Sequence, residues 1–509
     1  MKKRENSFDG NDYLGIVFWL ALVLFALLSI FKIFYSCGLF VDPLEHLRAS
    51  YFVQNGLVPY RDFFEHHNPL LWFMLAPLTK LLEGNLIIIP LVRILSFVLY
   101  LVCIYLVYLI NAKFIYGKRA AECSTLVLIS LPIWADIANL RPDILMLLCF
   151  LAAIYLFYSY LEKKNVLKLI GCYTLISISF LFLQKILFLA FGFGLVNLWF
   201  LYKKELKIKD VFVAVSVALV PLLIFGAYLL HNGIFGDWFY YNFTFNTIMR
   251  EYYADYQLVS LSINILFFVS ALLIFKLYSH NLKALPIFVP LMCIFLSLLY
   301  FFPHPQYAMP YFMLASIYFG KFCEDVKIFS HKITFIAFIS ILFFSISVSY
   351  PEAEEIKAHE HEMKTIEYIN KIEPDKTVVP VTIMMYPIFR LPLNYHWFGY
   401  FNVAIIDVLY TSGKYFDFAD FLEKTKPDYL IYTGQIQGTV LPENMSLYHR
   451  VWFKKRNQQI LKKMKQFPEL KSKLTTIDAD FWGIKEEWIK ENYTQIEGTD
   501  VYKRNDLKE

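Results

Sequence analysis

Apolar residues along this chain fall in blocks of roughly 17–25, the length that crosses a hydrocarbon core of about 30 Å. Eleven blocks, at 13–36, 86–111, 119–135, 140–160, 166–183, 186–202, 211–231, 259–279, 284–302, 306–320 and 333–350, predict transmembrane helices. The third and tenth are short enough to tilt or to stop part-way. The first is too long for a signal-peptide core, and no small-residue cleavage site follows it, so it predicts a retained helix. After Tyr350 the pattern changes. An acidic stretch at 351–361 leads into short β-type runs at 377–382, 429–433 and 500–503, with Lys-rich helical segments around 446–467 and 484–491. The expected fold class is therefore an α-helical polytopic membrane domain over 1–350, followed by a soluble α/β domain over 351–509.

Charge then orients the helices. Lys2, Lys3 and Arg4 precede the first block, and Lys113, Lys118 and Arg119 follow the second. Lys163, Lys164 and Lys168 follow the fourth, Lys203, Lys204, Lys207 and Lys209 the sixth, Lys276 and Lys283 flank the gap after the eighth, and Lys321, Lys327 and Lys332 follow the tenth. Every second connection is basic, so the positive-inside rule puts the N-terminus in the cytoplasm, and an odd number of spans puts the C-terminal domain outside. A net charge of +5 over 509 residues, clustered in this way, carries no nucleic-acid signal. The seven cysteines form no Cys-x-x-Cys pair, which argues against a thiolate zinc site and against a disulfide framework.

The chemistry-bearing residues concentrate in the first external loop, 37–85. Its sequence runs Phe40-Val-Asp-Pro-Leu-Glu-His-Leu-Arg48, then Asn55-Gly-Leu-Val-Pro-Tyr-Arg-Asp-Phe-Phe-Glu-His-His-Asn-Pro69. Asp42, Pro43 and Glu45 have the spacing of an N-cap, N1 and N3, and Asn55-Gly56 is a helix stop. A cap needs one acid, whereas this loop also supplies Asp62, Glu65, His66 and His67. An external site that deprotonates a hydroxyl needs a carboxylate near the bilayer surface, and a cap can fix its position. The apolar stretch 69–82, broken by Pro77, suits a helix lying in the interface. A second long loop, 232–257, has the Tyr, Phe and Trp expected at headgroup level.

Polar groups recur at the external span ends: Arg141-Pro-Asp143, Gln184-Lys185, Arg250 and His304-Pro-Gln-Tyr307. Ionisable residues near spans are costly and mark function, although each can also snorkel or pair locally. Together they suggest a site for an anionic lipid headgroup and a polar partner. His66-His67 has the chemistry of metal ligands but lacks the i, i+4 spacing, with no third ligand evident; His359 and His361 give a weaker signal. Tyr386, Trp397 and Tyr400 could offer a saccharide-stacking surface in the C-terminal domain, against the plainer reading of core packing.

The Asp-Pro-Leu-Glu-His pattern, the Gly-Leu-Val-Pro-Tyr-Arg-Asp-Phe-Phe-Glu-His-His-Asn-Pro run, the Arg-Pro-Asp span start and the His-Pro-Gln-Tyr turn resemble the GT-C superfamily of membrane glycosyltransferases. In style they are nearest to polyprenyl-phosphate-sugar transferases of bacteria, relatives of protein O-mannosyltransferases and lipid A aminoarabinose transferases. The resemblance covers about residues 13–350. It implies an inverting transfer in which an acceptor hydroxyl attacks the anomeric carbon of a sugar held on a polyprenyl phosphate. It implies Asp42 as general base or acceptor-orienting group and Glu45 as the second acid of the loop. Glu65 and His66 stand where lipid A transferases have an acidic-basic pair, with His in place of Lys. With His67, Arg141 and Asp143, they would bind donor and acceptor. Lys185, Arg250, His304 and Tyr307 would hold the phosphate.

The implied partners are the lipid-linked sugar, a glycan, lipid or protein acceptor, and the bilayer, with no nucleic acid. The implied location is a bacterial inner membrane, and a divalent metal ion is left open as a cofactor. Two other readings use the same lipid-linked substrates. A flippase should place polar residues at mid-bilayer and often shows inverted repeats, neither of which the sequence offers. A polymerase tends to place key basic residues in late external loops, whereas here acids gather in the first.

Overall fold

The computed structural model describes residues 14–35, 41–85, 87–130, 137–248, 257–278, 281–300, 305–328, 336, 340, 353–381, 389, 418–432 and 486–507. In chain order the first helices are α1 (Leu14–Tyr35), α2 (Val41–Gln54), α3 (Leu70–Leu81), α4 (Ile88–Ile110) and α5 (Lys118–Ser130). They are followed by α6 (Pro142–Lys163), α7 (Val166–Phe182), α8 (Ile186–Tyr202), α9 (Ile208–His231) and α10 (Phe235–Phe239). Next come α11 (Gln257–Tyr278), α12 (Leu285–Tyr300), α13 (Pro305–Asp325) and α14 (Ala353–Lys371). Two π-helical segments, Asn111–Ile115 and Tyr240–Phe245, continue α4 and α10. Ten of the eleven apolar blocks carry one of these helices, while the block at 333–350 falls almost wholly outside the described residues. Among the described residues, α1, α4, α6 and α9 are long and apolar enough to cross a membrane, and α7 and α8 are shorter apolar helices.

The chain folds into two compact units, each discontinuous in sequence. The first comprises 1–36, 90–226 and 260–350. Here α6 is its interior helix: 67% of its most apolar window is buried, against 28% in α1 and 17% in α9. The outer helices present large apolar side chains such as Trp19, Phe212 and Leu223 outward, as lipid-facing helices do. Near the end of α1, Arg93 of α4 donates to the Ile33 carbonyl (3.1 Å), satisfying one of the acceptors that a helix terminus leaves open.

Small residues set the closest helix contacts. A Cβ on Gly320 of α13 would collide with Ser124 Oγ and the Ala120 carbonyl of α5, and one on Gly192 of α8 would meet the Pro290 backbone of α12. Apolar helices in lipid gain nothing by hiding from water, so close backbone approach is what binds them. Gly320→Ala is therefore expected to destabilise the purified protein by about 1–3 kcal/mol, the usual cost of overpacking. Gly194→Ala, where a Cβ meets nothing within 4 Å, is the control and should leave the melting temperature unchanged.

The second unit comprises 37–89, 227–259 and 351–509. In it α2 already includes Val41, so Asp42, the expected N-cap, and Pro43 are helical residues. It stops as expected at Asn55-Gly56, where Gly56 takes φ +82° in the left-handed region. The α3 helix contains Pro77 and buries Leu71, Trp72, Leu75 and Thr79; Thr79 Oγ1 donates to Gln54 Oε1 of α2 (3.0 Å).

The three β-type runs form strands β1 (Val378–Pro380), β2 (Tyr429–Ile431) and β4 (Val501–Arg504), joined by an unforeseen β3 (Tyr493–Gln495). The order is β1-β2-β4-β3, with the first pair parallel and the others antiparallel. The short helices α15 (Phe418–Thr425) and α16 (Glu486–Asn492) belong to the same region. Residues of α14 bind the start of β4. Thr365 Oγ1 accepts the Asp500 amide (3.1 Å), and His361 Nε2 lies 3.0 Å from Asp500 Oδ1, which gives His361 a protein partner. The expected helix around 446–467, and Tyr386, Trp397 and Tyr400, lie outside the described residues.

Candidate active site

In the second unit, helix α2 and the loop that follows it bring two carboxylates and three imidazoles together. Glu45 lies on α2 and Glu65 on the loop, and both are buried, Glu65 completely. His67 Nδ1 stands 3.4 Å from Glu65 Oε2 and 3.7 Å from Glu45 Oε1. The His67 ring lies 4.1 Å from that of His66 and 5.3 Å from that of His46. The Trp72 indole N–H donates to His46 Nδ1 (3.2 Å), so that nitrogen is an acceptor and the His46 ring is neutral, with its proton on Nε2. Buried Arg48, one turn after Glu45 on α2, supplies a positive charge that acts on Glu45.

The loop is held at several points. Tyr60, in the left-handed region at φ +69°, turns the chain and donates from its hydroxyl to the His67 carbonyl (2.6 Å). Asp62 Oδ2 accepts the Val58 amide (2.7 Å), so this acid closes a turn. From the second long loop, Trp238 Nε1 donates to Asn68 Oδ1 (2.8 Å) and Asn246 Nδ2 to the His66 carbonyl (3.1 Å). The aromatic residues expected at headgroup level divide by face. Phe235 and Phe239 are exposed, whereas Trp238, Tyr241 and Phe245 are buried, with Tyr241 and Phe245 each 5.3 Å from Phe64. The signal was the i, i+3, i+4, i+7 stripe of Trp238, Tyr241, Asn242 and Phe245, which a reading of composition passes over. A π-helical turn at Tyr240–Phe245 sits within that stripe, as such turns often do beside functional residues.

Ligand atoms of Glu45, Glu65, His66 and His67 all lie within 4.8 Å of one another. The third and fourth ligands missing from the sequence reading are thus the two carboxylates, contributed by α2 and by the residue before the histidine pair. Two carboxylates and two imidazoles form a donor set that suits a divalent cation such as Zn²⁺ or Mn²⁺. Without a cation, such a pair holds a proton. Burial raises both carboxyl pKa values, Glu45 well above its ordinary range with Glu65 adding to the rise, and Glu65 to about 8.

In the first unit, Arg141 stands in extended conformation before α6, Pro142 opens the helix and Asp143 lies in its first turn, where the helix dipole favours an anion. Asp143 is bracketed by two cations: Arg141 Nε lies 3.4 Å from Oδ2, and Lys185 Nζ, at the start of α8, lies 3.4 Å from Oδ1. The group carries a net single positive charge. Arg141 and Asp143 are buried, while about a third of the Lys185 side chain is exposed, at 32%. The structure thus unites residues that the sequence placed at separate span ends. Arg250 and His304, and the side chains of Asp42 and Tyr307, lie outside the described residues; the Asp42 backbone is three residues before Glu45 in α2.

The sequence profile of the dolichyl-phosphate-mannose-protein mannosyltransferases matches residues 66–231, a segment that runs from His66 through Arg141, Asp143 and Lys185. Among solved structures, ArnT from Cupriavidus metallidurans bound to undecaprenyl phosphate is similar at 12% identity, with a TM-score of 0.50 over 74% of this chain and 84% of that one. The apo state of the same protein gives 0.48 with the same identity and coverage. No curated protein matches by sequence. The matched segment and the likeness of fold both support the GT-C resemblance that the sequence carries.

The proton and the cation make opposite predictions for Glu65→Gln. A carboxyl whose folded pKa is raised stabilises the fold fully below its unfolded value near 4.5, and that contribution is lost as pH rises toward about 8. In chelator, the melting temperature of Glu65→Gln should therefore gain on the parent from pH 5 to pH 9. With Zn²⁺ or Mn²⁺ added at pH 8, the parent should gain instead, and the variant should not. A parent that tracks the variant under both conditions would show that the pair holds neither.

Proposed function

We propose that this protein is an inverting glycosyltransferase that moves a sugar from a polyprenyl-phosphate donor to a hydroxyl acceptor on the external face of the membrane. The observation that carries the reading is the buried Glu45–Glu65–His67 constellation on a loop fixed from several sides. Positioning of this kind is costly for a loop and serves chemistry that needs a carboxylate held in place. The superfamily fold, and the undecaprenyl phosphate bound by the similar ArnT structure, support a lipid-phosphate donor.

In the proposed step, the acceptor oxygen attacks the anomeric carbon as its proton passes to a carboxylate. The bond from that carbon to the phosphate oxygen breaks, and the electron pair leaves on the phosphate. We assign the proton to Asp42, three residues before Glu45 in α2, with Glu45 as the second acid. Glu65 holds His67 and Glu45 in place from the loop. A divalent cation on these acids would supply a Lewis-acidic contact for a hydroxyl.

As the bond breaks, the phosphate goes from one negative charge to two. Lys185 and Arg141 are assigned to that growing charge, which they stabilise more in the transition state than in the ground state. Asp143 keeps the two cations in place. The C-terminal region, 351–509, is assigned to the external side along with these loops.

The test is transfer in proteoliposomes from radiolabelled polyprenyl-phosphate sugars to a membrane extract. Asp42→Asn is expected to lower the rate about 10²–10⁴-fold, the usual worth of a positioned general base. Lys185→Ala should cost about 10²–10³-fold, mostly in kcat, because its contact strengthens in the transition state. Transfer by a folded Asp42→Asn protein at the parent rate would return Asp42 to the role of a helix-start residue. No transfer from any donor would favour a flippase.

A further inference from the structure

The sheet region of the second unit carries a cavity of about 500 Å³ that no part of the proposed chemistry uses. We infer that this cavity is a binding subsite for a neutral saccharide of about two rings, the acceptor glycan of the proposed transfer, on which this inference rests. Its volume lies within the roughly 300–1,000 Å³ of small-molecule sites.

One wall is aromatic. Trp488, on α16, is half-buried, with its ring 5.7 Å from that of Tyr493 beneath it. Tyr493 is fixed in turn by its hydroxyl, which donates to the Pro427 carbonyl (2.9 Å). A half-exposed indole on a rigid floor offers the flat apolar face on which the C–H side of a pyranose packs.

The polar wall divides into a spent part and an available part. Asn505 is used up in the frame: its amide nitrogen donates to the Glu491 carbonyl (2.9 Å), and its oxygen accepts from Thr494 (2.7 Å). Arg504 is also committed, to Asp506 (2.5 Å) and Asp428 (3.5 Å). Among the described residues, Glu423, Lys426 and Glu491 line the same cavity with no hydrogen bond or ion pair from their side chains. Two carboxylates and an ammonium facing one aromatic wall match the vicinal hydroxyls of a sugar, which donate to carboxylates and accept from a cation.

Charge decides against an anionic occupant. Glu423, Glu491 and Asp506 outnumber Lys426 and Arg504 by one, and Arg504 already holds two carboxylates. A phosphate would therefore find one uncommitted cation among surplus negative charge. A neutral sugar meets no such penalty.

The probes are free mannobiose, lactose, maltose and chitobiose, added to the full-length protein in detergent and read by saturation-transfer NMR, with inorganic phosphate as the anion. The expected result is saturation of at least one disaccharide, competed by excess of the same sugar and unaffected by phosphate. Affinity should fall at least about tenfold in Trp488→Ala. Glu491→Ala alters an exposed side chain outside the frame and should weaken the same sugar with the fold intact, which keeps the test valid if the tryptophan variant does not fold. If none of the four sugars binds, if phosphate alone competes, or if Glu491→Ala binds as the parent does, the subsite is overturned. Because binding is read without a donor, sugar transfer that persists alongside absent binding would sink this inference and leave the proposed reaction standing.

Discussion

Two carboxylates buried within reach of one imidazole are the constraint around which the second unit is built. Like charges in a low-dielectric setting cannot both persist without compensation. The structure surrounds Glu45 and Glu65 with the means to compensate: Arg48 one turn along α2, the His67 ring between the acids, and His66 alongside. Those means need exact placement of a loop, and the loop's own sequence does not provide it. Hence the left-handed Tyr60, the Asp62 turn and the two side chains reaching in from the 235–248 segment.

The membrane helices were legible because their signal is long and one-sided. An apolar block of twenty residues leaves few alternatives, and α1, α4, α6 and α9 follow it closely. The three β runs were also readable, since β-branched and aromatic residues cluster between polar stretches at 377–382, 429–433 and 500–503. β3 was not, because Tyr493–Gln495 is three residues long and owes its strand state to pairing with β4. The capping pattern at Asp42 differed from the structure, in which Asp42 is already helical.

The candidate site was half legible. Glu45, Glu65 and the histidine pair stood out by their density of titratable groups, yet their convergence depends on a chain reversal at Tyr60 that has no glycine to announce it. Arg141, Asp143 and Lys185 were each visible at a span end; what the sequence could not convey is that one carboxylate lies between both cations. His46 passed unnoticed because its role is set by Trp72, 26 positions away. The aromatic segment was assigned to the membrane interface, whereas a helical stripe within it packs against the acid loop. Composition told of aromatics, and only periodicity told which side they face.

The hydrogen bonds from Trp238 and Asn246 to the acid loop close over 170 and 180 residues of chain. Between their ends lie α3 through α9, every one of which is synthesised before the second partner exists. During synthesis, the loop with Glu65 and His67 is complete long before its clamp exists. The loop that carries Glu65 is thus clamped late, after α1 through α9 have been made. A nascent chain halted in α8 would carry the matched residues of the site without the geometry that gives them meaning.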